Sequence, residues 1–169
     1  AANGFSDITY AVPIERGKFV AAFELMQRGV QLNLLTDDIE TVFAMDAVAA
    51  ESGVKPNVFV KVDCGYHRVG VEPTSESAIA IPQAISDAKH LEFAGILTHA
   101  GHSYDVATRD EIVAIARQER DVMVEMKHRL NDAGVEVPTV SVGSTPTMSL
   151  VDELAGIDEI RPGNYIFYD

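Results

Sequence analysis

Short apolar runs alternate along the chain with segments whose apolar residues recur every three or four positions. Asp7 to Val12 reads as a strand stopped by Pro13. The next segment places Phe19, Phe23 and Met26 on one helical stripe, with Gly29 where a C-terminal cap belongs. Gln31 to Leu35 is a second strand. Asp37 or Asp38 can cap the helix that follows, which carries Ile39, Val42, Phe43 and Ala50 and ends near Gly53. The β-branched run Val58 to Val62, bounded by Pro56 and Gly65, is a third strand. Pro82 disturbs the next helix, so either a short turn spans Ser75 to Ala80 or the helix starts at Ile81. Phe93 to Thr98 is a fourth strand. A long helix from about Asp110 to Ala133 keeps Ile112, Ala116, Val122, Met126 and Leu130 in register, with Gly134 as its stop. Thr139 to Val142 makes a fifth strand, a short helix lies near Met148–Leu154, and Glu159 to Arg161 opens a sixth.

Strands alternating with helices imply right-handed crossovers and a parallel α/β sheet. No G-x-G-x-x-G follows the first strand, which argues against a dinucleotide-binding sheet. Instead, unusual polar and glycine residues sit just after successive strands: Asp63-Cys64-Gly65, His99-Ala100-Gly101-His102, Gly143-Ser144-Thr145 and Gly163-Asn164. Chemistry gathered at many strand C-termini is the mark of a (β/α)8 TIM barrel, which needs roughly 250 residues. The expectation is an incomplete barrel, two strands short of closure, occupying residues 1–169 as one partial domain. The chain has no initiating Met and stops in the apolar Tyr165-Ile166-Phe167-Tyr168-Asp169, which reads like a strand, so it is expected to be a piece of a longer protein.

Composition narrows the partners. Thirteen Lys and Arg against 26 Asp and Glu leave a net charge of −13, which repels nucleic acid and anionic membranes. No apolar run approaches the ~20 residues of a membrane span, and Ala1 to Tyr10 has neither the basic start nor the apolar core of a secretory signal. Cys64 is the only cysteine, which excludes an intrachain disulfide and a cysteine-based zinc site and favours a cytoplasmic location. Any anionic ligand must be held locally, by backbone N–H groups or single arginines.

Three constellations could do so. Gly143-Ser144-Thr145-Pro146-Thr147 joins a strand to a short helix, and Arg161-Pro162-Gly163-Asn164 ends the next strand. Each alone reads as an ordinary cap or turn, but two consecutive late-strand loops resemble the common barrel phosphate site. In Lys61-Val62-Asp63-Cys64-Gly65-Tyr66-His67-Arg68-Val69-Gly70, two flanking glycines set Arg68 on a tight loop where it is expected to face a ligand, while Asp63 is either used at the site or held in a structural salt bridge at the barrel mouth. Thr98-His99-Ala100-Gly101-His102-Ser103-Tyr104 places two histidines three apart, but no third metal ligand accompanies them. A histidine packed flat against a planar cofactor, or one satisfied at the barrel mouth, fits better. His67, His90 and His128 read as loop or surface residues. No G-x-S-x-G elbow surrounds Ser144, so serine hydrolase chemistry is unsupported.

Taken in order, these motifs resemble the alanine-racemase-like (fold type III) pyridoxal phosphate enzymes, especially the D-threonine aldolase and D-serine dehydratase branch. The resemblance implies pyridoxal 5'-phosphate as cofactor. It puts Arg68 at the cofactor's phenolic oxygen and His99 against its pyridine ring. Tyr104, Thr145, Gly163 and Asn164 match cofactor-binding positions, the last three around the phosphate with Ser144 beside them, and Arg161 matches a residue that can face the pyridine nitrogen. The Schiff-base lysine of the family lies upstream of this segment, and none of Lys18, Lys55, Lys61, Lys89 and Lys127 is nominated for it. The divalent-metal ligands of the branch lie in a C-terminal β domain, so no metal ligand is assigned here.

The implied reaction of the whole protein is cleavage of a D-β-hydroxy amino acid, with a lean towards a retro-aldol giving glycine and an aldehyde. Alternatives are a D-serine dehydratase giving pyruvate and ammonia, or a 3-hydroxy-D-aspartate aldolase. From other classes come a non-catalytic pyridoxal phosphate carrier and a sugar-phosphate-binding barrel. The whole protein is expected to be a homodimer. The isolated chain is expected to be inactive and, with apolar barrel edges exposed, prone to aggregate.

Overall fold

A computed structural model describes residues 3–167. Six strands form one sheet in the order β1 to β6, every neighbouring pair parallel. They are β1 (Asp7–Pro13), β2 (Gln31–Thr36), β3 (Asn57–Lys61), β4 (Glu92–Leu97), β5 (Val140–Val142) and β6 (Glu159–Ile160). Between them run α1 (Phe19–Gln27), α2 (Ile39–Ser52), α3 (Ser77–Asp87), α4 (Arg109–Asp132) and α5 (Thr145–Leu150). The architecture is the expected incomplete parallel barrel. Among the described residues β1 pairs only with β2 and β6 only with β5, so both outer strands present open edges.

Period-two alternation sorts the strand residues. Leu34, Val58, Val60, Ile96 and Val140 face the helices and join Phe23, Met45, Ile81, Ile85, Met123, Met126 and Leu130 in the main core. Leu35, Phe59 and Leu97 make a smaller cluster on the opposite, barrel-interior face. Towards the N-terminal ends that inner face is polar: Asn57 donates to Asn33 Oδ1 at 2.9 Å, and Asn33 donates to Asp7 and Thr9 at 3.1 Å.

Helix boundaries follow from capping. Asp38 accepts from Thr41 N–H at 2.8 Å at the start of α2, and Gly53 closes that helix with a left-handed φ of 65°. Thr108 and Glu111 form a reciprocal capping box before α4.

Five details depart from expectation, the first being that α5 covers Thr145–Leu150 and not Met148–Leu154, because the Ser144 capping box starts it three residues earlier. On α2 the buried stripe is Thr41, Val42, Met45 and Ala49, whereas Phe43 and Ala50 face outwards. On α4 the buried positions are Ile115, Ala116, Glu119, Met123, Met126 and Leu130, with Ile112 and Val122 only partly covered. Helix α3 runs unbroken through Pro82. Proline's fixed φ suits a helix, and the missing N–H is offset by burying Ile81, Pro82 and Ile85 together. Asn164–Phe167 forms a 3-10 turn instead of a strand, and Tyr168 and Asp169 lie outside the described residues.

The tightest strand contact is at Gly95 on β4. Its φ is 136°, the β3–β4 register shifts beside it, and a Cβ there would collide with the backbone of Thr139. Gly95→Ala is therefore expected to cost roughly 2 kcal/mol or more, read as a lowered urea midpoint. An unchanged midpoint would mean that β4 and the segment entering β5 are not so closely apposed.

Candidate active site

Strand register builds the site in layers. On the inner face Lys61 is level with Leu97, Leu97 with Ser141, and Ser141 with Glu159. Two residues further along each strand come Asp63, His99, Gly143 and Arg161. One cavity of about 370 Å³ opens above them. Its lining includes Arg68, His99, Tyr104, Ser144, Thr145, Arg161, Gly163 and Asn164. All eight residues singled out from the sequence thus come together, and Lys61, Thr9, Ala11, Val12 and Val69 complete the wall.

At one end, donors converge on Thr145. Its Oγ1 accepts from the N–H groups of Gly163 at 3.1 Å and Asn164 at 2.8 Å. The Thr145 N–H and the Asn164 side-chain amide reach the Tyr104 hydroxyl at 3.3 and 3.1 Å. Ser144 caps the start of α5 and bonds to Ser103 Oγ at 2.8 Å, which buries it beneath this cluster. Gly143 is obligatory here, because its φ is 135° and a Cβ would sit 2.8 Å from the Arg161 nitrogen. This set of small, hydroxylated and N–H-bearing residues suits a phosphate group.

His99 lies on the same wall, its ring 6.4 Å from that of Tyr104. Its Nδ1 donates to the Gly143 carbonyl at 2.8 Å, which sets the tautomer, because a carbonyl can only accept. Burial lowers its pKa, aided by the charges of Lys61, Arg161 and Arg68, so the ring is neutral at physiological pH. The Arg68 guanidinium, also on the cavity wall, lies 4.9 Å from the centre of the Tyr66 ring, a cation–π contact. Arg161 donates to Ser141 Oγ at 2.8 Å and to the Thr98 carbonyl, and lies 3.7 Å from Glu159.

Asp63 takes the structural option. It accepts from the Gly65 and His67 N–H groups at 2.9 and 3.0 Å and meets His67 Nδ1 at 2.8 Å. Burial raises its pKa, but these hydrogen bonds outweigh burial and hold it below the usual carboxylate range. His102 is not a cavity wall; it rests against Tyr66 with both ring nitrogens unpartnered. Among the described residues, no group of three or more His, Cys, Asp or Glu could hold a metal ion, and no helix is long and apolar enough to cross a membrane.

Two residues escaped the sequence reading. Glu119, on α4, is 1% exposed and hydrogen-bonds to the loops after β4 and β5. Its signal was an acid on an otherwise apolar helical stripe. Lys61 shares the inner face with Phe59, two residues earlier, which puts its amine inside the barrel. Burial lowers its pKa to about 8, helped by the Arg161 charge. The amine therefore loses its proton as pH rises through about 8, while the unfolded chain holds that proton to its ordinary 10.5. Raising the pH across this interval favours the folded state through this group. With lysines reductively methylated with a carbon-13 label, the resonance missing from Lys61→Arg should titrate with a midpoint near 8. A midpoint at 10.5 would mean a hydrated amine.

Residues 14–169 match the family described as alanine racemase, N-terminal domain. The chain is 38% identical to the D-serine dehydratase of Dictyostelium discoideum, over 98% of its own length and 45% of that protein's. It is 36% identical to a solved structure of D-threo-3-hydroxyaspartate dehydratase from Delftia sp. HT23, with a TM-score of 0.94 over 99% of this chain and 44% of that one. D-threonine aldolase from Filomicrobium marinum gives a TM-score of 0.88 at 28% identity, over 99% of this chain and 45% of that one. The chain spans less than half the length of each of these relatives. With a match over all but its first 13 residues, the chain belongs to the alanine racemase N-terminal domain family.

Proposed function

We propose that this chain is the cofactor-holding part of a pyridoxal-phosphate-dependent lyase that acts on small D-amino acids bearing a β-hydroxyl. The observation that carries the reading is the convergence of four strand-end loops on one cavity, whose wall carries both phosphate-type donors and the Arg68 cation. The donor set fits the group. Thr145 and the Gly163 and Asn164 amides would hold the phosphate, with Tyr104 and Ser144 bracing them. His99 would lie against the ring and Arg68 would meet its phenolic oxygen.

When bound, the cofactor supplies an electron-poor ring that accepts electron density from the substrate's α-carbon. The chain's own residues seat and polarise. His99 is oriented by its bond to Gly143 and kept neutral by burial against that bond's opposing pull, so it adds bulk and a flat face without a charge. Arg68, stacked on Tyr66, presents a fixed cation that strengthens as water leaves the cavity. Arg161 offers a permanent guanidinium on the inner wall, and a cation there disfavours a proton on a ring nitrogen facing it. The lysine that anchors the cofactor and any divalent metal belong, in this reading, to parts of the whole protein outside this chain.

Loss of water from the substrate is the preferred outcome. The sequence motif Thr98-His99-Ala100-Gly101-His102-Ser103-Tyr104 leans towards carbon–carbon cleavage, but the two dehydratases are the more similar relatives, at 38% and 36% identity against 28% for the aldolase. Carbon–carbon cleavage stays as the second reading on the strength of that motif. The whole protein, loaded with pyridoxal phosphate, should release ammonia and a keto acid from D-serine or D-threo-3-hydroxyaspartate and leave the L-forms untouched. Arg68→Ala should lower kcat/KM by roughly 10²-fold or more, the scale of losing one aimed charge. Glycine and an aldehyde from D-threonine would select the second reading. No product from any D-β-hydroxy amino acid, with cofactor bound, would overturn both.

A further inference from the structure

Glu119 is not part of the cavity wall, yet among the described residues no other carboxylate is as deeply buried. A carboxylate enclosed by a core is costly unless its oxygens are hydrogen-bonded. Here both are. Oε1 accepts from the Ala100 N–H at 3.1 Å and the Gly143 N–H at 3.0 Å, and Oε2 accepts from the Thr147 hydroxyl at 3.0 Å.

Those donors come from the loops after β4 and β5, which lead from His99 and into Thr145, and from α5. Ala100 follows His99, and the Gly143 carbonyl receives the His99 Nδ1–H. The Gly143 residue is thus gripped through its N–H by Glu119 and through its carbonyl by His99, and the grip closes a ring between the loops after β4 and β5. Thr147 extends the clamp. Its hydroxyl receives the Ser144 N–H at 3.2 Å and lies 2.9 Å from Ser144 Oγ, so the acid also orients the cap from which Thr145 projects.

We propose that Glu119 is a positioning residue that sets the spacing between His99 and Thr145, so that one ligand can meet both. The inference rests on the cofactor reading above, in which His99 takes the ring and Thr145 the phosphate. Its content is reach: one side-chain oxygen must touch two backbone N–H groups on separate loops. A rigid ligand that bridges two subsites gains over its separate parts only when the spacing is right.

The test uses the whole protein freed of cofactor and calorimetric titration with pyridoxine 5'-phosphate, pyridoxine and inorganic phosphate. The first two lack the aldehyde and report seating alone. Glu119→Asp keeps the charge and shortens the reach. It should weaken pyridoxine phosphate about tenfold while changing each separate part less than about twofold. Glu119→Gln keeps an oxygen for both N–H groups and should stay within about threefold of the parent for all three ligands. Thr147→Val, which removes one arm only, should weaken the joined ligand by about threefold and serves if Glu119→Asp does not fold. Equal losses for joined and separate ligands, an unchanged preference in the Asp variant, or a Gln variant as weak as the Asp one would each overturn the proposal. An unmodified protein that binds pyridoxine phosphate no better than pyridoxine would instead overturn the cofactor reading, and this inference with it.

Discussion

In-register parallel pairing of β3 through β6 is the constraint from which the site follows. Because side chains alternate between faces, level pairing of Lys61, Leu97, Ser141 and Glu159 stacks Asp63, His99, Gly143 and Arg161 as the next inner layer. Strand ends that all point the same way put their loops on one rim, where chain ends, N–H groups and turns gather. Gly143 makes the rim close enough to work, since a side chain there would push β5 away from Arg161. The outer face of β3, β4 and β5 is apolar and packs against the helices. One alternation thus separates stability from chemistry.

Charge is distributed on the same principle. The chain carries a net −13, yet Lys61, Arg68 and Arg161 all reach one cavity. Burial costs these cations hydration and lowers the pKa of both Lys61 and Arg161; for Lys61 the neighbouring charges of Arg161 and Arg68 lower it further. The Arg161 guanidinium donates to the Ser141 and Thr98 oxygens, and that of Arg68 lies over the Tyr66 ring. An acidic surface around a cationic pocket admits an anionic ligand only where fixed donors await it.

Much of this was legible in the sequence. Strand positions, the order of the loops and the eight cavity residues could be read because each sits in a short local pattern, such as Gly143-Ser144-Thr145 or Arg161-Pro162-Gly163-Asn164. What could not be read depends on distant partners. Glu119 looks like any helical acid until the N–H groups of Ala100 and Gly143 are brought to it from other elements. Lys61 looks like the polar end of a strand until the barrel interior surrounds it. Pro82 and Phe43 misled for the opposite reason. Local propensity argues for a helix break and for burial, and tertiary packing overrides both.

The family and its relatives extend the chain's meaning beyond its own length, since each relative is more than twice as long as the part matched here. The central claim is narrower: the four loops form a single seat for a flat, phosphorylated ring. A crystal structure of the whole protein with pyridoxal phosphate tests it most directly. The phosphate should lie within hydrogen-bond distance of Thr145 Oγ1 and the Gly163 and Asn164 N–H groups, with the ring face on His99 and its oxygen at Arg68. A phosphate bound away from Thr145, or a ring that does not touch His99, would contradict the account.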